Sequence, residues 1–373
     1  MNTPLPPTVW LCLASDAARQ ALRAVCMAMR QPPADLVAGP DALARLDAAL
    51  VAQPHSVALI DMAAIAPAAP SLITLAAALP DPKRRARVAL TRELAGLWPT
   101  EQAWALELGF AGLWADLDPV SLAQPGQPLV ECLARLAGAP PLPPEALAQY
   151  FSAMQVKLDD ATPRHRIRRA TGLTAEALCQ AMASHVKAID RMYHFKTYPS
   201  CHTGTEAVDW LGNRFQLKRP AAVRLGLDLQ ALGLLQHVVH EQPFADLPNF
   251  YRPTLASAVD RWNLGAVYAL VSQPSGLDVK DRTYLGTTYA RCFVGAEAVQ
   301  WLSKRLKLRS HEAEILLNRL LRFGLIEHVT GEHPVRDGHF FYRFTVPQPA
   351  MASRAGYAPM GGVRLAGRLQ ENT

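Results

Sequence analysis

The chain has 373 residues, 50% of them hydrophobic and 19% charged, with a formal net charge of +6. Such proportions exclude a disordered chain, and the length suits two or three globular domains. No run of 18 apolar residues occurs, and the start MNTPLPPTVWLCLASD shows neither a basic leader nor a cleavage site, so neither a membrane-spanning nor an exported protein is expected.

The six cysteines, Cys12, Cys26, Cys132, Cys179, Cys201 and Cys292, form no CxxC pair. They read as reduced, mostly buried thiols of a cytosolic protein, with no zinc site and no disulfide framework. Charge is uneven: acids outnumber bases over the first 145 residues, and the basic excess lies beyond them. A field of that sign favours anionic partners, whether nucleic acid, lipid headgroups or an acidic protein face.

From the N-terminus, short apolar runs alternate with helical patterns: TVWLCLA, ARQALRAVCMAM, ADLVA, DALARLDAALVA, SVALIDM, LITLAAAL, RARVALT, EQAWALEL, GLWAD and PLVECLARLA. Strand and helix alternating five times predict an α/β domain over residues 1–138, a doubly wound parallel five-stranded sheet with helices on both faces. Asp61 ends the third strand and Thr91 the fourth, at the sheet edge where such folds bind ligands. In these features the segment resembles the receiver domains of response regulators. The resemblance implies Asp61 as phosphoacceptor and Thr91 as the hydroxyl assisting it. Only Asp16 follows the first strand, where a receiver needs adjacent acids for magnesium, and Asp116 stands where the fifth strand should end in lysine. A degenerate receiver is expected, with no metal and no cofactor.

Residues 139–175 read as a proline-rich and basic linker. GAPPLPPEALAQ predicts a stiff, extended spacer, PEALAQYFSAMQVKLDD a helix with Pro144 in its first turn, and PRHRIRR a basic stretch. A further helix is predicted over residues 174–190, capped by Thr174.

Beyond it the chain repeats itself. GTEAVDWL beginning at Gly204 returns as GAEAVQWL at Gly295, 91 positions later, and the register holds without insertion through LGLLQHV and FGLIEHV to FYR and FYR. Two small domains are predicted, residues 176–256 and 257–347, followed by a disordered tail over 348–373. Each copy offers a helix, a second helix and a short hairpin, a winged-helix-like α+β module. Thr203 and Glu206 have the spacing of a capping box, which Val294 breaks in the second copy. Pro220 sits near a helix start, and Gly233 suits the turn after its end.

The motifs KTYPSCHTGTEAVDWL, LKRPAAVRLGLDLQALGLLQHV and FYR, with TTYARCFVGAEAVQWL, LRSHEAEILLNRLLRFGLIEHV and FYRF, resemble the DEP domain, the signalling module shared by Dishevelled, pleckstrin and several regulators of G-protein signalling. Trp210 and Trp301 are read as interior packing anchors, Gly204 and Gly295 as permitting a tight helix start, and His237 and His328 as structural. The resemblance implies that basic surfaces and the segment before the tryptophan helix contact anionic membranes or partner tails. Those cations are Arg191, Lys196, Arg214, Lys218 and Arg219 in the first copy, and Arg282, Arg291, Lys304, Arg305, Lys307 and Arg309 in the second.

The chain carries no nucleophile–base pair, phosphate loop or metal cluster in sequence. The expectation is a non-enzymatic signal-transduction adaptor, cytoplasmic and peripheral at the inner face of a membrane, with a signalling protein or anionic lipid as partner. The alternative is a DNA-binding regulator with a receiver-like control domain, but Arg224, Asn318, Arg319 and Arg322 are thin material for base readout. Whether the copies pair within one chain or between chains is left open.

Overall fold

The computed structural model describes residues 7–39, 41–65, 71–153, 162–255, 257–260 and 262–345. The N-terminal unit runs β1 (Val9–Cys12), α1 (Asp16–Ala28), β2 (Pro33–Asp35), α2 (Ala42–Ala52), β3 (Val57–Asp61), α3 (Leu72–Ala78), α4 (Pro82–Arg85), β4 (Val88–Thr91), α5 (Pro99–Glu107), β5 (Gly112–Trp114), α6 (Pro119–Leu122) and α7 (Pro128–Leu136). Its five strands are all parallel, in the order β2-β1-β3-β4-β5. Every residue of β3 is buried, as befits a strand covered on both faces. This is the doubly wound sheet expected from the alternation, and its order reverses between β1 and β3.

Helices α8 (Pro144–Ala153), α9 (Pro163–Thr171) and α10 (Ala175–His185) follow. Leu147 and Phe151 of α8 are buried, the helix lying beside α1 and α6, so it closes one face of the sheet. The predicted continuation of α8 past Ala153 and the predicted disordered tail lie outside the described residues. The basic stretch is not a solvated linker. It forms α9, capped by Thr162 and ended by Gly172 at φ 71. Helix α10 stops at His185, five residues before the predicted end, because the chain turns there into a strand.

Each repeat copy then builds the same body. The first comprises β6 (Ile189–Tyr193), β7 (Lys196–Thr203), α11 (Gly204–Phe215), α12 (Arg219–Ala231), β8 (Leu235–His237) and β9 (Phe250–Pro253). After α13 (Ser257–Asp260) and α14 (Leu264–Ser272), the second comprises β10 (Lys280–Tyr284), β11 (Thr287–Val294), α15 (Gly295–Leu306), α16 (Ser310–Arg322), β12 (Ile326–His328) and β13 (Phe341–Phe344). Both have a four-stranded antiparallel sheet, ordered β6-β7-β9-β8 and β10-β11-β13-β12. The capping box of Thr203 and Glu206 forms, and Val294 leaves α15 without a side-chain cap.

The interior anchor of each body is a tyrosine. Tyr251 and Tyr342 are fully buried, and their hydroxyls donate to the Pro243 and Pro334 carbonyls at 2.7 and 2.6 Å. The expectation for the tryptophans is corrected accordingly. Trp210 and Trp301 are half-buried and pack on the core from its edge, Trp210 stacking on His185 at 6.2 Å. An indole this large finds room at the mouth of so small a core, while the narrower tyrosine fits its centre.

The face of the sheet opposite α8 does not end in solvent. Its apolar layer, from Leu46 and Leu75 to Trp98 and Trp104, continues into Leu178, Leu229, Leu316 and Phe323, so one core spans all three bodies. The loop after β4 contributes to the joint. Gly96 donates its N–H to the Leu232 carbonyl at 2.6 Å and accepts from Arg322 at 2.8 Å, and the Arg322 guanidinium lies 4.0 Å over the Trp98 ring. The copies also meet each other within the chain, where Arg309 donates to Ser200 Oγ at 3.1 Å.

Candidate docking arms and the charged hub

The segment before each tryptophan helix is a β-arm, β6–β7 in one copy and β10–β11 in the other. Its base is tied to the following helix by an ion pair present in both copies, Arg191 to Glu206 at 2.6 Å and Arg282 to Glu297 at 2.8 Å. Glu206 thereby serves both Arg191 and its own helix cap, and is held below the ordinary carboxylate range by the Thr203 amide and Arg191 against the cost of burial.

The tips are turns with positive φ at both central residues, His194 and Phe195 in the first arm, Leu285 and Gly286 in the second. Such turns match the twist of a hairpin but favour Gly or Asn, and a branched or bulky residue in the left-handed region costs about 1–2 kcal/mol. Phe195 is nevertheless there, 102% exposed, beside Met192 at 74% and Tyr193 at 60%, and Leu285 at the second tip is 87% exposed. Tyr193 packs edge-on against His194 and Phe250, whereas Met192, Phe195 and Leu285 have no ring contact among the described residues, and their exposure is unfavourable in water.

The structure divides the predicted cations into two groups. Arg191, Arg219, Arg282 and Arg309 are committed to internal carboxylates, Arg219 to both Asp209 and Asp246 at 2.6 Å and Arg309 to Glu312 at 2.9 Å. Arg214, Lys218, Arg291, Lys304, Arg305 and Lys307 are exposed and make no ion pair among the described residues. Lys196 lies in β7, and its side chain is outside the described residues. Lys304 and Arg305 close the last turn of α15, where a cation also suits the helix dipole.

Asp61 and Thr91 are paired across β3 and β4 at the carboxyl edge of the sheet, but Asp61 is only 1% exposed. Burial raises its carboxyl above the usual range, against backbone amides of Ala63, Ala14 and Glu93 and the charge of Arg92. Asp116, with φ 57, faces Arg164 at 3.7 Å and Arg168 at 3.5 Å. The chain's own α9 thus supplies guanidinium groups at the edge where a receiver handles phosphate. Incubation with acetyl phosphate and magnesium is expected to leave the intact mass of the protein unchanged. A phosphoryl adduct lost in Asp61→Ala would reverse that assignment.

Arg164 is the centre of this hub. Fully buried, it reaches Glu176 at 2.8 and 3.0 Å, the Glu93 carbonyl at 2.7 Å and the Ala95 carbonyl at 2.5 Å. Glu176 also accepts from the Leu97 amide at 2.7 Å. Arg166 binds Asp228 of α12 at 2.5 and 3.0 Å, and Arg168 binds Asp118 at 3.1 Å. The positive charge of PRHRIRR is therefore spent on joining the sheet to the first repeat.

The candidate base-reading residues are placed unfavourably for a groove. Arg319 is 1% exposed and paired to Asp260 at 2.6 Å, Asn318 is bonded to Val335, and Arg322 is half-buried against Trp98. Arg224 alone of the four is exposed. His237 and His328, 8% exposed each, lie 5.3 and 5.2 Å from the buried tyrosine rings. Burial lowers the basicity of both.

A sheeted wing, two crossed helices and a β-arm, built twice, define tandem DEP bodies behind a receiver-like sheet. Residues 185–253 and 276–344 match the family model described as the domain found in Dishevelled, Egl-10 and Pleckstrin, so the chain carries two DEP domains. Among curated proteins, it is similar to the vacuolar membrane-associated protein IML1 of Candida albicans, 37% identical over 79 residues, or 20% of this chain and 5% of that one. The protein of the same name in Schizosaccharomyces pombe is 32% identical over 77 residues, again 20% and 5%, and that of Eremothecium gossypii 31% over 118 residues, 30% and 7%. The match thus spans only a small part of these relatives, about one DEP-sized segment. Among the described residues, no helix is long and apolar enough to cross a membrane.

Proposed function

We propose that the chain is a non-enzymatic signalling adaptor that docks peripherally on an anionic membrane surface through the tips of its two DEP arms, with the unpaired cations around them. The observation that carries this reading is Phe195, wholly exposed on a left-handed backbone that it makes less stable. Insertion of such a ring into an apolar phase is worth about 1.5–3 kcal/mol, and each lysine or arginine near an anionic leaflet adds about 1 kcal/mol. Relatives named as vacuolar membrane-associated support the same reading. The buried position of Arg319 and the half-buried one of Arg322 against Trp98 support it over DNA readout.

Cosedimentation with phosphatidylglycerol–phosphatidylcholine vesicles tests it. The full chain is expected to bind, more weakly as salt rises, and the Phe195→Asp, Leu285→Asp double variant to bind at least tenfold more weakly. Phe195→Gly should also lose affinity while melting at a higher temperature, since glycine relieves the turn. Equal binding by the double variant would remove the arms from the proposal.

A further inference from the structure

Between the two DEP bodies lies a cleft of about 570 Å³, lined by Ser200, His202 and Arg252 of the first copy and Asp260, Arg309 and His311 on the other side. We infer that this cleft is a binding site for a small phosphate-bearing ligand, with Arg252 as its principal cation.

The argument begins with what the copies do not share. Arg252 of β9 lies opposite Gln236, and its counterpart Arg343 of β13 lies opposite Glu327. Arg343 is exposed and satisfied by Glu327 at 2.5 Å. In the first copy the carboxylate is replaced by an amide, and Arg252 is 6% exposed with no ion pair among the described residues. Its Nη2 donates to the Pro199 carbonyl at 2.7 Å, and its Nε has no partner. A guanidinium removed from water without a counter-charge is costly unless an anion joins it.

A second difference between the copies, polar for apolar, lies beside it. Phe293 packs on Tyr342 and Phe344, whereas the corresponding His202, 1% exposed, leaves Nε2 unpartnered. His311, 7% exposed, leaves Nδ1 unpartnered. Three buried polar side chains with unpaired nitrogens thus line one cleft, and its volume lies in the range of small-molecule sites. The nearby carboxylates are already engaged: Glu312 by Arg309, Asp260 by Arg319, Glu314 by His240 at 3.4 Å, and Asp190 by the Ser200 amide at 2.9 Å.

Phosphate fits better than carboxylate for a stereochemical reason. His202 Nδ1 lies 3.1 Å from the Thr203 carbonyl, which only accepts, so Nδ1 carries the proton and Nε2 is a lone pair in the neutral ring. Burial favours that neutral ring, and burial with Arg252 and Arg309 likewise pushes His311 down to about 4. A phosphate monoanion offers both oxygens for Arg252 and a P–OH that donates to His202, which a carboxylate lacks. Binding should therefore strengthen as pH falls through the second phosphate ionisation near pH 6–7.

Titration calorimetry of the full chain with inorganic phosphate, at constant ionic strength, is expected to give one saturable site, tighter at pH 6 than at pH 8, with acetate not competing. Arg252→Gln should weaken it at least tenfold and Arg343→Gln should not. His202→Phe, which restores the residue of the other copy and is compatible with the fold, should weaken it as well. A phosphatidic acid vesicle arm separates sources: loss of binding in Arg252→Gln assigns the phosphate to a lipid headgroup, and unchanged vesicle binding to a soluble compound. The arm-tip double variant should bind inorganic phosphate normally, so failure of the docking reading leaves this result standing. Absence of saturable phosphate binding by the wild type, or equal binding by Arg252→Gln, overturns the site.

Discussion

Replacing Arg164 by leucine is expected to cost about 3–5 kcal/mol at pH 8, the range for removing one member of a buried charge network. Arg164 stands among Glu93, Asp116 and Glu176, and its loss leaves these acids without their common counter-charge. Part of the loss should return at pH 5, where buried carboxyls take up protons. The partner experiment is Glu93→Gln. Burial holds the Glu93 carboxyl up to about 7, from an ordinary 4.5, with Arg164 opposing. The folded state thus keeps a proton that the unfolded chain releases. The stability this contributes is fully present below pH 4.5 and is lost as pH rises to 7, on the order of 3 kcal/mol. Glu93→Gln should be more stable than the wild type at pH 8 and should lack that slope, both read from urea denaturation across pH 4.5–8. Parallel pH profiles for the two proteins would show that Glu93 is ionised throughout. An Arg164→Leu protein as stable as the wild type would place the joint elsewhere.

Gly204→Ala and Gly295→Ala are expected to lower stability by about 1–3 kcal/mol each, as overpacking does. A Cβ on Gly204 would overlap the Ala245 carbonyl oxygen, and one on Gly295 would sit 2.5 Å from the Arg336 carbonyl oxygen and 2.9 Å from the Tyr342 ring. Both obstacles are backbone or buried ring, so neither can swing aside. The cause is close approach of the wing loop, whose carbonyls also accept from the amides of the helix start, and not a left-handed backbone. Thermal melts of the two variants should fall together because the geometry is duplicated. A drop in only one would mean that the two loops pack differently.

Alternation of short apolar runs and helical patterns made the parallel sheet legible, because strands buried on both faces and helices buried on one leave different periods in the residues. The repeat was plainer still, and its capping box, Pro220 and Gly233 each set a boundary through local chemistry. The arms were not legible as strands. Along β6 the residues are exposed or half-buried without alternation, so IDRMY carries no two-residue period. The role of PRHRIRR was hidden for another reason: nothing local distinguishes an arginine facing water from one facing Glu176 or Asp228 far along the chain. The cations suffer the same ambiguity, which is why Arg219 and Lys218, adjacent in sequence, part company in the fold. Trp210 and Trp301 mark the helix position correctly, but residue size alone does not tell centre from rim.

The shared core running from Leu75 through Trp98 to Phe323 makes the separation between the two arm tips a property of packing and not of a tether. If docking proceeds through the tips as proposed above, engagement of one presents the other at a high effective concentration, but only to a target whose second contact lies at that spacing. Avidity of this kind is selective. It favours an extended or repeating surface over a lone ligand, and it rises or falls with the stiffness of the joint around Gly96.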